Sequence, residues 1–492
     1  MTISRLAILA FSAFISLLAG CDNQVGPTRK IAVSDCRLPK LPVAAQCATL
    51  DVPENRDKPG GRKISIAIAI LPANTLSPRP DPLFILAGGP GQAARYLGTF
   101  AASLTGVRKD RDIVLVDQRG TGRSSPLECA AMKPDENPDS QLELDPVPKA
   151  TECAKELAAQ GIDAAQYTTA AWIADLDQVR EALGYTQVNL WGGSYGTRVA
   201  LEYIRKFPSR VRSAILDGVA PPSMIVSLDV WRTRDAALSA VLDACAQSEA
   251  CRTAHPDLPA RLAAIRDKLG AEGINVTFTD PRTGVPRQQR ITFDHIIGAL
   301  QPLTYAPEIS ALTAEIIGRV GAGDYGPLYA SLLFVTGDLA DQLNNALYYS
   351  VTCAEDAPRI APEDVKIGLA DIRAKSLAER VLAVCNIWPK GSASPEASKP
   401  VLSDIPILLF SGALDPVTPP ANGAEVAKTL RSARHIVARG YGHIVSPHAC
   451  GPRLIAAFID DPTFATLPAS CVEHFEKSTR PPLWPDRLEP RF

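Results

Sequence analysis

One serine of this chain is set up for attack. Trp191-Gly192-Gly193-Ser194-Tyr195-Gly196-Thr197 follows the short apolar run Val188-Asn189-Leu190 and precedes a helical pattern from Arg198 to Lys206. A strand, a Gly-x-Ser-x-Gly turn and a helix expose the serine hydroxyl at the tip of a strained turn, the arrangement of a nucleophile elbow. Side chains at Gly192 and Gly196 would collide with the adjoining strand and helix. The turn also aims the next backbone N–H at the oxygen of a carbonyl under attack. A serine nucleophile needs a base, and the base needs an acid to orient it. Both occur downstream, in the order serine, acid, histidine. The apolar strand Pro406 to Phe410 runs into Ser411-Gly412-Ala413-Leu414-Asp415-Pro416, which puts Asp415 on a loop just past a strand end. The last strand, His435 to Ala438, leads to Gly440-Tyr441-Gly442-His443. From such a loop His443 can take the Ser194 proton and later protonate the leaving group, with Asp415 holding the imidazole tautomer.

Other residues compete for these roles. Asp217 ends the apolar run Ala214-Ile215-Leu216 and is the second candidate for the acid. His435 lies on a strand and reads as structural. His448, between Pro447 and Cys450, reads as a loop residue. His255, His295 and His474 have no matching context. A second glycine-rich loop, Ala87-Gly88-Gly89-Pro90-Gly91-Gln92, follows the strand Leu83 to Leu86. Its glycines let backbone approach a substrate carbonyl, so the N–H groups of Gly89 and Tyr195 are expected to form the oxyanion hole. The strand Ile113 to Val116 runs into Asp117-Gln118-Arg119-Gly120-Thr121-Gly122-Arg123-Ser124, read as a structural turn with an internal Asp–Arg pair.

Each of these residues follows an apolar run, which predicts a sheet carrying the site on loops at its carboxyl edge. Lys63 to Ile70 alternates as an early strand, and Ala171 to Leu183 has helical spacing ended by Gly184. Roughly 220 residues separate Ser194 from Asp415, far more than a minimal fold of this kind needs. The excess predicts an insertion from about Pro221 to Lys399. Helical patterns cover Leu228 to Ala246, Leu258 to Leu269, Phe293 to Leu300, Ile309 to Arg319, Asp338 to Tyr349 and Pro362 to Cys385. Ile274 to Phe278 and Gln288 to Thr292 read as a hairpin turned at Thr283-Gly284. A mainly helical cap over the sheet edge would narrow the entrance, which favours small or chain-terminal substrates. Val351 to Asp356 reads as a link between two cap helices. A site that takes free amino termini needs a carboxylate for the ammonium, and Glu355, then Asp356, are the candidates. Trp231, Tyr305 and Trp388 either line the acyl-side pocket or simply pack.

Together Gly-Gly-Pro-Gly, Asp-Gln-Arg-Gly-Thr-Gly-Arg-Ser and Trp-Gly-Gly-Ser-Tyr-Gly-Thr resemble the proline-iminopeptidase-related serine peptidases of the α/β-hydrolase fold. Within them the chain is similar to the secreted tripeptidyl-aminopeptidase-like (TAP-like) branch, which shares Ala-Gly-Gly-Pro-Gly-Gln, a large inserted cap and the acid loop Ser-Gly-x-x-Asp-Pro-Val-Thr-Pro. The motifs lie within about residues 60–220 and 400–450. Ala87 stands where proline iminopeptidases usually carry histidine, which weakens strict proline specificity and leaves the triad untouched. The resemblance implies an α/β fold with the cap between nucleophile and acid. It also implies a serine exopeptidase of di-, tripeptidyl or prolyl aminopeptidase type, with no cofactor and no metal. A carboxylesterase with the same triad and a catalytically silent binding lipoprotein are the competing expectations.

The rest of the chain bounds the setting. With 51 basic and 53 acidic residues, nothing points to a nucleic-acid partner. Arg5 and the 14-residue run Leu6 to Ala19 read as a signal peptide. The run ends Leu18-Ala19-Gly20-Cys21, which resembles a bacterial lipobox, so Cys21 is expected to be acylated and to tether the protein to a membrane. A plain signal peptide cut nearby is the alternative. Eleven cysteines less Cys21 leave an even ten. Paired as neighbours they give Cys36–Cys47, Cys129–Cys153, Cys245–Cys251, Cys353–Cys385 and Cys450–Cys471, although sequence cannot fix connectivity. Such usage fits an exported protein facing the periplasm or exterior, and the absence of Cys-x-x-Cys argues against zinc. The expected division is a signal peptide over 1–20, a tether and lead-in over 21–57, core over 58–220, cap over 221–399, and core with a tail over 400–492.

Overall fold

The computed structural model describes residues 29–38, 41, 43–133, 145–281, 283–336, 342–361 and 372–477. The signal peptide, Cys21 and the C-terminal tail from 478 lie outside the described residues.

Seven strands precede the insertion: β1 (Ser34–Cys36), β2 (Ala45–Pro53), β3 (Lys63–Leu71), β4 (Leu83–Leu86), β5 (Ile113–Val116), β6 (Val188–Gly193) and β7 (Val211–Asp217). The insertion carries a two-stranded hairpin, β8 (Ile274–Thr279) with β9 (Pro286–Ile291). After it come β10 (Ile407–Gly412) and β11 (Ala433–Ala438). Nine strands form one sheet in the order β1-β2-β3-β5-β4-β6-β7-β10-β11. The β1, β2, β3 and β5 pairings are antiparallel, and every pairing from β5 to β11 is parallel.

Parallel strands are covered on both faces, which is why β4, β5, β6 and β10 are buried at every position, with β4 and β5 apolar throughout and β6 and β10 interrupted only by Asn189, Ser411 and glycines. Alternate residues feed opposite faces. Phe84, Val114 and Leu190 join one core cluster, and Leu83, Ile113 and Trp191 join the other. The winding reverses where β4 lies between β5 and β6, which opens a crevice at the carboxyl ends of these strands. The residues read as a lead-in segment supply β1 and β2, so the sheet begins earlier than the motifs do.

The insertion is built in two parts. Residues from Leu238 to Leu332 bury their own apolar cluster, with Leu262, Ile297, Ile317 and Leu328 inside it. The helices Asn345–Glu355 and Ile372–Ile387 instead pack into the sheet's core cluster through Leu347, Val351 and Val384, joined by Trp388 just past the second helix. Disulfides join Cys36 to Cys47, Cys129 to Cys153, Cys245 to Cys251, Cys353 to Cys385 and Cys450 to Cys471. Among the described residues no helix is long and apolar enough to cross a membrane.

Candidate active site

Ser194 sits between β6 and the helix Tyr195–Lys206 with φ 57° and ψ −125°. That is a left-handed value for a residue with a side chain, and backbone strain of this sort persists only where the surroundings fix it. Here they do. The Ser194 N–H donates to Asp217 O at 2.9 Å, and its carbonyl accepts from Thr197 Oγ1 at 2.6 Å. A Cβ at Gly192 would lie closer than 3.0 Å to Gly196 O, and one at Gly196 closer than 3.0 Å to Leu86 O. Both glycines of the motif are therefore demanded by close backbone approach. Tyr195 opens the helix, so its N–H has no intrahelical acceptor and is free for an oxyanion. The Gly88-Gly89-Pro90 loop lines the same cavity as Ser194.

Asp415 follows β10 and His443 follows β11, so adjacent parallel strands deliver both to the same edge. His443 Nδ1 lies 2.9 Å from Asp415 Oδ2 and 3.0 Å from Oδ1. Asp415 also accepts from the Val417 N–H, the Thr418 N–H and the Thr418 hydroxyl, each at 2.8 Å. Burial would raise the Asp415 pKa, but the neighbouring imidazole and these donors outweigh it and hold the carboxyl below its usual range. An ionised Asp415 fixes Nδ1 as the protonated nitrogen and leaves Nε2 as the base.

Asp217, the rival acid, is wholly buried and engaged elsewhere. Its carboxylate accepts from the Val445 N–H at 2.9 Å and the Ser446 N–H at 2.7 Å. Burial pushes its pKa up. Asp217 thus pins the loop that carries His443. The cap holds that loop from the other side. Tyr305 O accepts from the His443 N–H at 2.9 Å, and the Tyr305 ring stands edge-on to the imidazole at 5.5 Å.

Ser194, Gly89 and His443 line one cavity of about 500 Å³. Its walls come from the core through Phe100 and Trp191, and from the insertion through Val230, Arg234, Tyr305 and Tyr348. Of the expected aromatic candidates whose side chains are described, Tyr305 lines it. Trp388 is buried in the core, where its indole N–H donates to Ser350 Oγ at 3.0 Å. The Trp231 side chain lies outside what the structure describes. Sequence reasoning missed Arg234 and Tyr348. For Arg234 a signal existed, since Val226, Val230 and Arg234 are spaced by four on the helix Val226–Gln247 and share a face.

Glu355 and Asp356 are not brought to Ser194. The segment read as a link is helical to Glu355, because the Asn344 side chain caps it by accepting from the Leu347 N–H at 2.8 Å. Glu355 lines a separate cavity of about 650 Å³ and accepts from the Thr169 N–H at 2.7 Å and the Thr169 hydroxyl at 2.8 Å. Burial pushes its carboxyl up to about 7. Asp356 is buried between Arg198 and Arg359 at 3.1 and 2.8 Å and accepts from the Val226 N–H. Among the described residues lining the Ser194 cavity there is no carboxylate.

The loop after β5 also differs from its reading. Asp117 pairs with Arg95 and accepts from the Arg123 N–H of its own loop at 3.0 Å, and Arg119 pairs with Asp175 at 2.6 Å, so the ion pairs reach other elements. Four of the five remaining histidines have partners away from Ser194. His435 bonds Ser411 Oγ at 2.9 Å, His295 caps its own helix, His255 is buried 3.7 Å from Glu315, and His474 lies 3.3 Å from the Tyr441 hydroxyl. No group of three or more His, Cys, Asp or Glu among the described residues could hold a metal ion.

An elbow serine, a buried acid–histidine pair and a reversing parallel sheet define a class, and sequence comparison agrees with it. A profile of the family described as alpha/beta hydrolase fold matches residues 81–447. The chain belongs to that family. It is 26% identical over 480 residues to the serine protease Hip1 of Mycobacterium tuberculosis, covering 88% of this chain and 91% of that protein. It is 26% identical over 429 residues to the tripeptidyl aminopeptidase of Streptomyces coelicolor, covering 82% and 78%. It is also 27% identical over 419 residues to the carboxylesterase B of Mycobacterium tuberculosis, covering 78% of each.

Proposed function

We propose that this α/β-hydrolase is an exported serine peptidase that removes residues from the free amino termini of short peptides. The observation that carries the reading is the capped cavity of about 500 Å³ shared by Ser194, His443 and Gly89. Its size suits a few residues of an extended chain and excludes a folded protein. In the reaction, Ser194 Oγ attacks the scissile carbonyl while His443 Nε2 takes the hydroxyl proton. The N–H groups of Gly89 and Tyr195 stabilise the oxyanion. Asp415 stabilises the imidazolium, which then protonates the leaving amine as the C–N bond breaks. Water, deprotonated by His443, hydrolyses the acyl-enzyme and restores Ser194. Likeness to a serine protease and a tripeptidyl aminopeptidase supports peptide bonds as the substrate. Five disulfides support work in an oxidising compartment, with Cys21 as the proposed site of a lipid anchor.

A second reading, a carboxylesterase, is favoured by the lack of a carboxylate among the described cavity residues and by the likeness to a carboxylesterase. A panel of short peptides and matched esters, each with a free or acetylated amino group, separates the two. The exopeptidase reading expects amide cleavage with kcat/KM lowered by acetylation, which adds bulk at the amino end inside the capped cavity. Equal cleavage of free and blocked peptides, or cleavage of esters alone, overturns it.

A further inference from the structure

Among the described residues lining the Ser194 cavity, the proposed reaction leaves one charged side chain unused. Arg234 projects from the helix Val226–Gln247 beside Val226 and Val230, which line the same cavity. Its guanidinium donates to the Tyr305 hydroxyl and lies 5.2 Å from the Tyr305 ring centroid. Its Nε is buried without a hydrogen-bond partner. Other arginines around the site are matched with carboxylates: Arg95 with Asp117, Arg119 with Asp175, Arg198 with Asp356. No described carboxylate pairs with Arg234.

A guanidinium is charged at every working pH and offers five donors in a fixed fork that matches a carboxylate. Taking it out of water without a counter-charge costs free energy that a bound anion would recover. Tyr305 orients it, and Tyr305 also bonds the loop of His443, so the cation is held in register with the reacting groups. We infer that Arg234 receives a carboxylate of the substrate. The preferred substrates are then short peptides whose free terminal carboxylate, or an aspartate or glutamate side chain, extends from Ser194 to Arg234. This rests on the Ser194 cavity being the substrate site and sharpens the peptidase reading into a substrate class.

The experiment measures kcat/KM for three matched pairs. These are a tripeptide with free against amidated C-terminus, the amidated peptide with Glu against Gln, and a succinate monoester against its neutral diester. In the wild type at least one acid should exceed its neutral partner by more than about tenfold, as charge-assisted pairing predicts. The first two pairs tell the terminal from the side-chain source. In Arg234→Met that ratio should fall to within about twofold, and Arg234→Lys should keep part of it. Labelling of each variant by a fluorophosphonate shows that its active site is assembled. No acid preference in any wild-type pair overturns the assignment, as does a preference that survives in a labelled Arg234→Met. An acid preference among esters with no peptide cleavage retains Arg234 and overturns only the peptidase reading.

Discussion

Asp217 and Asp415 stand at the ends of adjacent strands, both carboxylates are buried, and their hydrogen bonds tell them apart. Asp415 faces the imidazole of His443, whereas Asp217 faces the backbone N–H groups of Val445 and Ser446. Asp415→Asn should therefore lower kcat by about 10³- to 10⁴-fold, because the amide favours the wrong imidazole tautomer. Asp217→Asn turns an acceptor of two N–H groups into a partial donor inside the core. It should lower stability by about 1–3 kcal/mol. Chemical denaturation and steady-state kinetics on both variants check this, and the opposite pattern would hand the acid role to Asp217. The meeting of Ser194, Asp415 and His443 at one sheet edge was legible because each follows an apolar run. Glu355 was misplaced because sequence showed an acid near the cap and not the Thr169 backbone and hydroxyl that occupy it.

The contact of Glu355 with Thr169 joins two elements, the end of the helix Asn345–Glu355 and the start of the helix Thr169–Ala182. Its folded pKa of about 7 lies above its ordinary value of 4.5. The folded state thus binds the proton more tightly than the unfolded chain, and the benefit, complete below the ordinary value, is lost as pH rises through 7. Glu355→Gln keeps a neutral group there and should flatten the decline between about pH 5 and 8, by on the order of 1–3 kcal/mol. Unfolding curves for wild type and variant across that range test it; parallel declines would contradict it. Elements with both a period and caps were readable. Leu258–Leu269 lies between the capping Asp257 side chain and Gly270, and Phe293–Leu300 begins at the Thr292 capping box. The helix Gly326–Thr336 was not read, since Gly-Pro opens it and apolar residues surround it without a polar face. β1 was missed because a three-residue edge strand carries little pattern, and β2, nine residues between β1 and β3, because Ala-Gln-Cys-Ala-Thr-Leu-Asp-Val-Pro alternates only weakly.

At the scale of the molecule, the sheet fixes the chemistry and the insertion fixes what reaches it. Four loops at the carboxyl edge bring Gly89, Ser194, Asp415 and His443 together. Tyr305 and Arg234 come from the insertion, so one added segment both holds the His443 loop and lines the Ser194 cavity. The α/β class and the existence of a cap were legible from the motifs and from the distance between Ser194 and Asp415. The cap's division was not, because which apolar face meets the sheet depends on contacts between distant residues such as Leu347 and Val384. The central claim is that hydrolysis passes through a covalent bond to Ser194. Stoichiometric fluorophosphonate treatment, followed by peptide mapping and residual-activity assay, tests it most directly. One adduct on Ser194, accumulating in step with loss of turnover, is the expected result. Loss of turnover with Ser194 unmodified, or full turnover with Ser194 modified, would contradict it.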